Sequence, residues 1–281
     1  MPATWSQKDG LHAIELPTGF VSAESTGING AGDVVGFATR KEPNQAGSNQ
    51  TVAFRYSAGQ VLVLSEERSK AAAINDSGVT VGANGDRLVW WLGRKMLPLG
   101  GCCGGIAHAV NNRGQAVGDA NDKEGHYSAF LWDSAHGLRS IAPPHAGTST
   151  ALGITGSGSV LIQTLTPNAV FLRQKGAFTP VHLAPEGASQ PLALNTCDVI
   201  VGEFGAASDF YHAFLWDRPH GFRDLNKLID GAEGWNLESA VDINDRGEII
   251  GVGDRGKQQD LGFLLVPDKN LNHREHRGTQ R

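Results

Sequence analysis

The sequence predicts an all-β fold: a six-bladed β-propeller of four-stranded blades, with the N-terminal strand completing the last blade. Three observations carry this expectation. A nine-residue motif recurs six times, its spacing is that of a propeller blade, and the chain begins with a strand that its last repeat lacks.

The motif is an aliphatic residue, a turn, an apolar pair and a small residue. Its copies are Ile28-Asn-Gly-Ala-Gly-Asp-Val-Val-Gly36, Ile74-Asn-Asp-Ser-Gly-Val-Thr-Val-Gly82, Val110-Asn-Asn-Arg-Gly-Gln-Ala-Val-Gly118, Ile154-Thr-Gly-Ser-Gly-Ser-Val-Leu-Ile162, Leu194-Asn-Thr-Cys-Asp-Val-Ile-Val-Gly202 and Ile243-Asn-Asp-Arg-Gly-Glu-Ile-Ile-Gly251. The fourth and fifth are degenerate. Successive first positions lie 46, 36, 44, 40 and 49 residues apart, a mean of 43, which is the length of a four-stranded blade and not of a helical repeat. Asn-Asp-x-Gly between apolar runs is hairpin chemistry, because Asn and Gly accept the positive φ that tight turns need. Two strands therefore flank each motif.

A third strand follows each pair, as in Val52-Ala-Phe54, Ala129-Phe-Leu-Trp132 and His212-Ala-Phe-Leu-Trp216, and a fourth opens on glycine, as in Gly137-Leu-Arg-Ser-Ile141 and Gly221-Phe-Arg-Asp-Leu225. Period-2 alternation marks these segments as strands. The units resemble the HAF repeat, a tandem family named for His-Ala-Phe, which stands here as His212-Ala213-Phe214. The resemblance spans residues 20 to 266. It implies a propeller-like repeat protein and an exported one, whereas no signal segment is visible at the start of this sequence.

The last repeat ends after Leu265-Val-Pro267 without a fourth strand. Trp132 is followed by Gly137 and Ile141, Trp216 by Gly221 and Leu225, and Trp5 by Gly10 and Ile14 at the same spacing. The segment at Gly10 is therefore expected to complete the sixth blade, although Trp5 and Leu265 both claim the end of one third strand. Such closure removes open sheet edges. One domain is expected over residues 1–267, followed by a polar, disordered tail over 268–281 that holds the main cluster of basic residues.

The strand before each turn is expected to lie innermost. Three residues before the aliphatic position stand Ser25, Ala71, Ala107, Ala151, Pro191 and Ala240, and one before it stand Gly27, Ala73, Ala109, Gly153, Ala193 and Asp242. Nearly all are small, as wedges converging on an axis require. The Phe and Trp columns belong between blades as core.

Composition bounds the function. The chain has 281 residues, 40% hydrophobic and 19% charged, with 37 glycines and a net charge of −5. That charge gives no general attraction to phosphate backbones, so nucleic acid is not expected as a partner. The apolar runs are strand-sized, so no membrane span is expected. With no leader visible and three cysteines, two of them adjacent, a cytoplasmic location is expected for the chain as written and an extracellular one if a signal has been removed.

Loops on a rigid scaffold carry function, and in a propeller they gather at one mouth of the central channel. The residues expected there are Glu24, Lys70, Thr150, Gln190 and Ser239, each four before the aliphatic position, with Arg68, Glu238 and Trp235 nearby. The leading reading is a monomeric binding or interaction propeller that takes a small molecule, glycan or peptide at that mouth, without metal or cofactor. A water-filled mouth is polar in any propeller, which is the plainer account of the same residues. The runner-up is an enzyme, a lyase, hydrolase or isomerase. In it Cys102 or Cys103, on the Gly-Gly-Cys-Cys-Gly-Gly loop, is the nucleophile and His108 the acid or base, because an adjacent imidazolium favours the thiolate. Adjacent cysteines lack the spacer that suits tetrahedral zinc. His212 is a secondary binding candidate, expected first as a structural residue bonded to a neighbouring blade. A structural scaffold for protein partners is the third reading.

Overall fold

The computed structural model describes residues 2–8, 10–41, 49–100, 104–121, 125–184, 189–205, 211–229 and 234–268. It is nearly all-β, and its fold is the six-bladed β-propeller expected from the repeat. The chain divides into two compact units, Met1–Val181 and His182–Arg281.

The first unit opens with a hairpin of β1 (Ala3–Ser6) and β2 (Gly10–Ala13). Four blades follow. They are β3 (Phe20–Ile28), β4 (Val34–Lys41), β5 (Asn49–Ser57) and β6 (Gln60–Val63); β7 (Ser69–Ile74), β8 (Val79–Asn84), β9 (Arg87–Leu92) and β10 (Lys95–Pro98); β11 (Gly105–Val110), β12 (Ala116–Asn121), β13 (Tyr127–Asp133) and β14 (Gly137–Ser140); and β15 (Ser149–Ile154), β16 (Val160–Leu165), β17 (Asn168–Gln174) and β18 (Ala177–Val181). The second unit holds β19 (Ser189–Leu194), β20 (Ile200–Gly205), β21 (Tyr211–Asp217) and β22 (Gly221–Asp224), then β23 (Trp235–Ile243), β24 (Ile249–Arg255) and β25 (Gln258–Leu265). Among the described residues every sheet is an antiparallel meander in sequence order: the pair β1–β2, five sheets of four strands and a last one of three.

The motif asparagine builds the first turn in every blade but the fourth, where Thr155 takes its place. Asn75 Oδ1 accepts from Val79 N at 2.9 Å, and Asn111, Asn195 and Asn244 Oδ1 each accept from the second and fourth amides beyond them. This spares the turn amides that have no ladder partner. Gly78 closes its turn at φ +76, a conformation that glycine adopts without strain.

Each first strand then bulges at one register, between Ser25 and Gly27, Ala71 and Ala73, Ala107 and Ala109, Ala151 and Gly153, Pro191 and Ala193, and Ala240 and Asp242. The bulge brings the first strand's backbone against the motif's final glycine. A Cβ on Gly36, Gly82 or Gly118 would stand 2.0 Å from the carbonyl oxygen of Glu24, Lys70 or Ile106. Gly202 and Gly251 leave 2.1 Å to the carbonyls of Gln190 and Ser239. Ile162 takes this position in the fourth blade and is wholly buried; nothing in the structure explains how that blade dispenses with the glycine.

Apolar packing joins consecutive blades. Val35, Ala53 and Leu64 of the first blade pack on Ala71, Ile74, Val89 and Trp91 of the second, and equivalent clusters join the second to the third, the third to the fourth and the fifth to the sixth. Phe54, Phe130 and Phe214 are buried to within 1%, each worth roughly 2–3 kcal/mol of transfer free energy as an upper estimate. Trp91 and Trp216 are buried with them, as expected of the aromatic columns, whereas Trp132 and Phe171 are half-buried.

The same asparagines also bridge blades. Asn29 Nδ2 donates to Asn75 O at 3.1 Å, Asn75 Nδ2 to Asn111 O at 2.9 Å and Asn111 Nδ2 to Thr155 O at 3.0 Å. Thr155 carries no amide and turns its hydroxyl to Ser157 and to Ser159 N. In the second unit Asn195 Nδ2 donates to Asn244 O at 3.2 Å. A parallel row runs one residue on, from Gly30 N to Asp76 Oδ1 and from Asp76 N to Asn112 Oδ1.

The N-terminal segment refines the expected closure. Gly10–Ala13 pairs with Ala3–Ser6, Trp5 facing Leu11, and Ile14 N donates to Pro2 O at 2.9 Å. The Trp–Gly–Ile spacing therefore encodes a whole third-to-fourth-strand hairpin. Among the described residues the ladder partner of Gly10–Ala13 is Ala3–Ser6, across a tight turn. Of the tail placed at 268–281, residues 269–281 lie outside the described residues.

Two outer hairpins share a further device. Asp133 accepts from His136 N, His136 Nδ1 and Arg139 Nη2, and Asp217 does the same with His220 and Arg223. The Arg139 hydrogen bond, aided by His136, holds the Asp133 carboxyl down at about 2 from its ordinary 3.8. Because the folded value lies below the unfolded one, this turn's contribution to stability is complete above about pH 4 and fades as the pH falls towards about 2. Carboxyl NMR titration is expected to place Asp133 at about 2, and Arg139→Ala to move it back towards the ordinary carboxylate range.

Candidate functional site

The inner strands sort their residues by register. First strands of consecutive blades pack side by side, β3 with β7, β7 with β11 and β11 with β15 in the first unit, and β19 with β23 in the second. The positions three before the aliphatic residue are buried in all but the first blade, Ala107, Ala151 and Ala240 completely. The column one residue earlier varies in chemistry: Glu24, Lys70, Ile106, Thr150, Gln190 and Ser239. Glu24, Lys70 and Gln190 are exposed, Thr150 and Ser239 half-buried.

The structure joins some of the expected residues to partners that sequence did not single out. In the first unit the Lys70 ammonium lies 4.4 Å from the centroid of the Phe37 ring, a cation–π contact between adjacent blades. His108 occupies the bulge of β11, which turns its ring back over β12, where Nε2 lies 2.6 Å from Asp119 Oδ1. The carboxylate accepts, so Nε2 carries the proton and Nδ1 is left as the second reactive nitrogen. The His108 side chain is 31% exposed and that of Asp119 12%, and the carboxylate sets the orientation of the imidazole. Arg68 is exposed, and Cys102 and Cys103 lie outside the described residues.

In the second unit His212 Nδ1 lies 3.3 Å from Asp224 Oδ2. This corrects the expected bond to a neighbouring blade: β21 and β22 are adjacent strands of one sheet, so the partner lies in the same blade. The ring also meets Phe204 edge-on, and Asp224 caps the short 3₁₀ helix Leu225–Lys227. Glu238 lies at a second bulge, between Leu237 and Ser239. Burial pushes its carboxyl up, Asp254 and Asp260 add like-charge repulsion, and His212 opposes them. Trp235 stacks under the Arg255 guanidinium at 5.8 Å. Asp242, the one acidic residue in the small columns, is also pushed up by the protein packed around it, while the residue keeps an open side to solvent.

Asp119 and Asp224 are not legible in the sequence as the partners of His108 and His212, because repeat position does not show which residues face one another across strands. Counting the hairpin register back from the turn pairs Ile106 with Asp119, and that count is the available signal. Among the described residues, no group of three or more His, Cys, Asp and Glu side chains is placed to hold a metal ion. None of their helices is long and apolar enough to cross a membrane.

These features define a class, the all-β propeller whose inner strands present a varied column on an otherwise uniform scaffold. Solved structures extend the likeness in fold. TolB from Acinetobacter baumannii matches 83% of this chain and 60% of its own, at a TM-score of 0.51 and 11% identity. Porphyromonas gingivalis dipeptidyl peptidase 4 matches 83% and 43%, at 0.47 and 10%. A Mycobacterium tuberculosis puromycin-hydrolyzing peptidase matches 87% and 51%, at 0.41 and 12%. The chain thus spans about half the length of these proteins. No protein-family model and no curated protein matches the sequence.

Proposed function

We propose that this chain is a ligand-binding or interaction propeller that recognises a small molecule, glycan or peptide at the loop-rich end of its inner strands. The observation that carries the reading is the contrast between columns. Positions that pack are small and nearly uniform, whereas the column beside them varies, with exposed Glu24, Lys70 and Gln190, half-buried Thr150 and Ser239, and the apolar Ile106. A repeat that varies one column on a fixed backbone has the form of a recognition surface. Lys70, lying over Phe37, and His108, hydrogen-bonded to Asp119, are the polar groups of the first unit on which the test centres.

The test is a thermal-shift screen of glycan, peptide and metabolite panels, followed by calorimetry on the hits. Lys70→Ala combined with His108→Ala is expected to weaken a true hit at least about tenfold, the loss of one or two polar contacts. Hits that bind the double variant as tightly as the parent protein, or panels that give no hit, would sink the reading.

The His108–Asp119 pair favours an acid–base enzyme as a second reading, with Cys102 or Cys103 as nucleophile. In that case Asp119→Asn is expected to lower turnover at least about a hundredfold, the usual scale of an oriented general base. Alkylation of the native thiols by iodoacetamide is expected to show a midpoint well below the free-thiol value of about 8.5. A midpoint at that ordinary value removes the enzyme reading and leaves the binding one intact.

A further inference from the structure

We infer that the turn of the first blade is a self-modifying site, Asn29–Gly30, at which a side-chain amide is lost when the turn opens and the acid left behind keeps it from closing again. Of the five ladder asparagines Asn29 alone is followed by glycine; Asp76, Asn112, Thr196 and Asp245 follow the others. Glycine puts no side chain in the path of its own backbone nitrogen, so that nitrogen can reach the preceding carboxamide carbon. In the step, a bond forms between Gly30 N and Asn29 Cγ, the Cγ–Nδ2 bond breaks, and ammonia leaves with the Gly30 amide proton. Water then opens the cyclic imide at either carbonyl, giving aspartate or isoaspartate. No other reactant takes part.

While the turn is closed, both reacting groups are held. Asn29 is 9% exposed, and its carboxamide fills all its hydrogen-bonding positions. Oδ1 accepts from Ala31 N at 3.1 Å and from Asp33 N at 2.9 Å, and Nδ2 donates to Asp33 Oδ2 and to Asn75 O of the second blade, both at 3.1 Å. The nucleophile is tied to the second blade as well, Gly30 N donating to Asp76 Oδ1 at 2.8 Å. Attack therefore waits for a local opening in which the carboxamide swings out of these bonds and the Gly30 amide leaves Asp76. The product cannot remake them. A carboxylate at position 29 has no proton to donate, and closing the turn would set it against the Asp33 carboxylate and the Asn75 carbonyl. Isoaspartate also lengthens the backbone by a methylene inside the turn. The joint between the first two blades thus passes once, and irreversibly, from closed to open.

The experiment incubates the full-length protein at pH 8 and follows the amides of Asn29 and Asn84 by peptide mass spectrometry with an isoaspartate assay. Asn84–Gly85, the other Asn-Gly step of the chain, is the internal reference, because its carboxamide is held by Ser65 and Glu67 and not through Asp76. Asp76→Ala frees Gly30 N and is expected to speed loss of the Asn29 amide at least about tenfold, the scale of one charge-assisted hydrogen bond, while Asn84 keeps its parent rate. Equal Asn29 rates in the two proteins, or a rise that Asn84 shares in full, would overturn gating by the turn. Urea unfolding is expected to speed loss at Asn29 further, and a rate no faster than in the folded parent would remove the site itself. Asn29→Asp carries the product from the start and is expected to unfold at a lower urea midpoint than the parent at pH 7. An unchanged midpoint would overturn the irreversible opening.

Discussion

Gly82→Ala is expected to destabilise the protein by about 3 kcal/mol or more, beyond what most single substitutions cost. A β-carbon at this position would meet the Lys70 carbonyl oxygen at 2.0 Å and the Ala71 α-carbon at 3.1 Å. Both obstacles are backbone of the bulged inner strand, so no rotamer change relieves them and the bulge itself must move. Gly262→Ala supplies the control, since an added β-carbon there finds nothing within 4 Å. That variant is expected to stay within about 0.5 kcal/mol of the parent. Urea unfolding of both would decide the matter, and equal midpoints would refute the steric account.

The second large effect belongs to the asparagine ladder. Asn75, at 4% exposure, holds Val79 N within its own turn and donates to Asn111 O on the next blade. Asn75→Ala removes both bonds and leaves a buried amide and carbonyl short of partners, at a cost of about 3 kcal/mol. Asn75→Asp separates the two roles. The acid still accepts from Val79 N, but at neutral pH it sets a carboxylate oxygen against the Asn111 carbonyl. It is therefore expected to unfold more easily than the parent at pH 7. Protonation restores a donor, so the folded-state pKa lies above the unfolded one and stability returns as the pH falls through it. Unfolding midpoints at pH 7 and pH 4.5 that differ no more for this variant than for the parent would show that the ladder adds little.

These two effects mark how far the sequence reaches. The six motifs, their spacing and the small columns gave the strand order and the blade count, because a tight turn between apolar runs is a local instruction that short-range chemistry can write. The Trp–Gly–Ile spacing was read as a strand completing the sixth blade, and the pairing of Trp5 with Leu11 lay beyond spacing, since the same pattern serves as one strand or two. At the candidate site, Glu24, Lys70, Thr150, Gln190 and Ser239 could be placed in one column by counting alone. Their partners could not be named. Phe37 belongs to the neighbouring blade, and Asp119 reaches His108 only because a bulge breaks the alternation of β11. His212 was read as a bridge between blades and is bonded within its own, because hairpin register outweighs repeat position in setting what a side chain meets.

By itself the sequence determined an all-β repeat architecture, four strands to a full blade, and which columns pack and which face solvent. Hydrophobic period and turn chemistry act over a few residues, so they are legible one segment at a time. Tertiary structure alone decided the second use of the motif asparagines, the close approach that glycine fills opposite the bulge in five of the six blades, and the carboxylates that orient His108 and His212. Those depend on which backbone atoms lie within 3 Å of one another across strands and blades, a distance that no local pattern encodes.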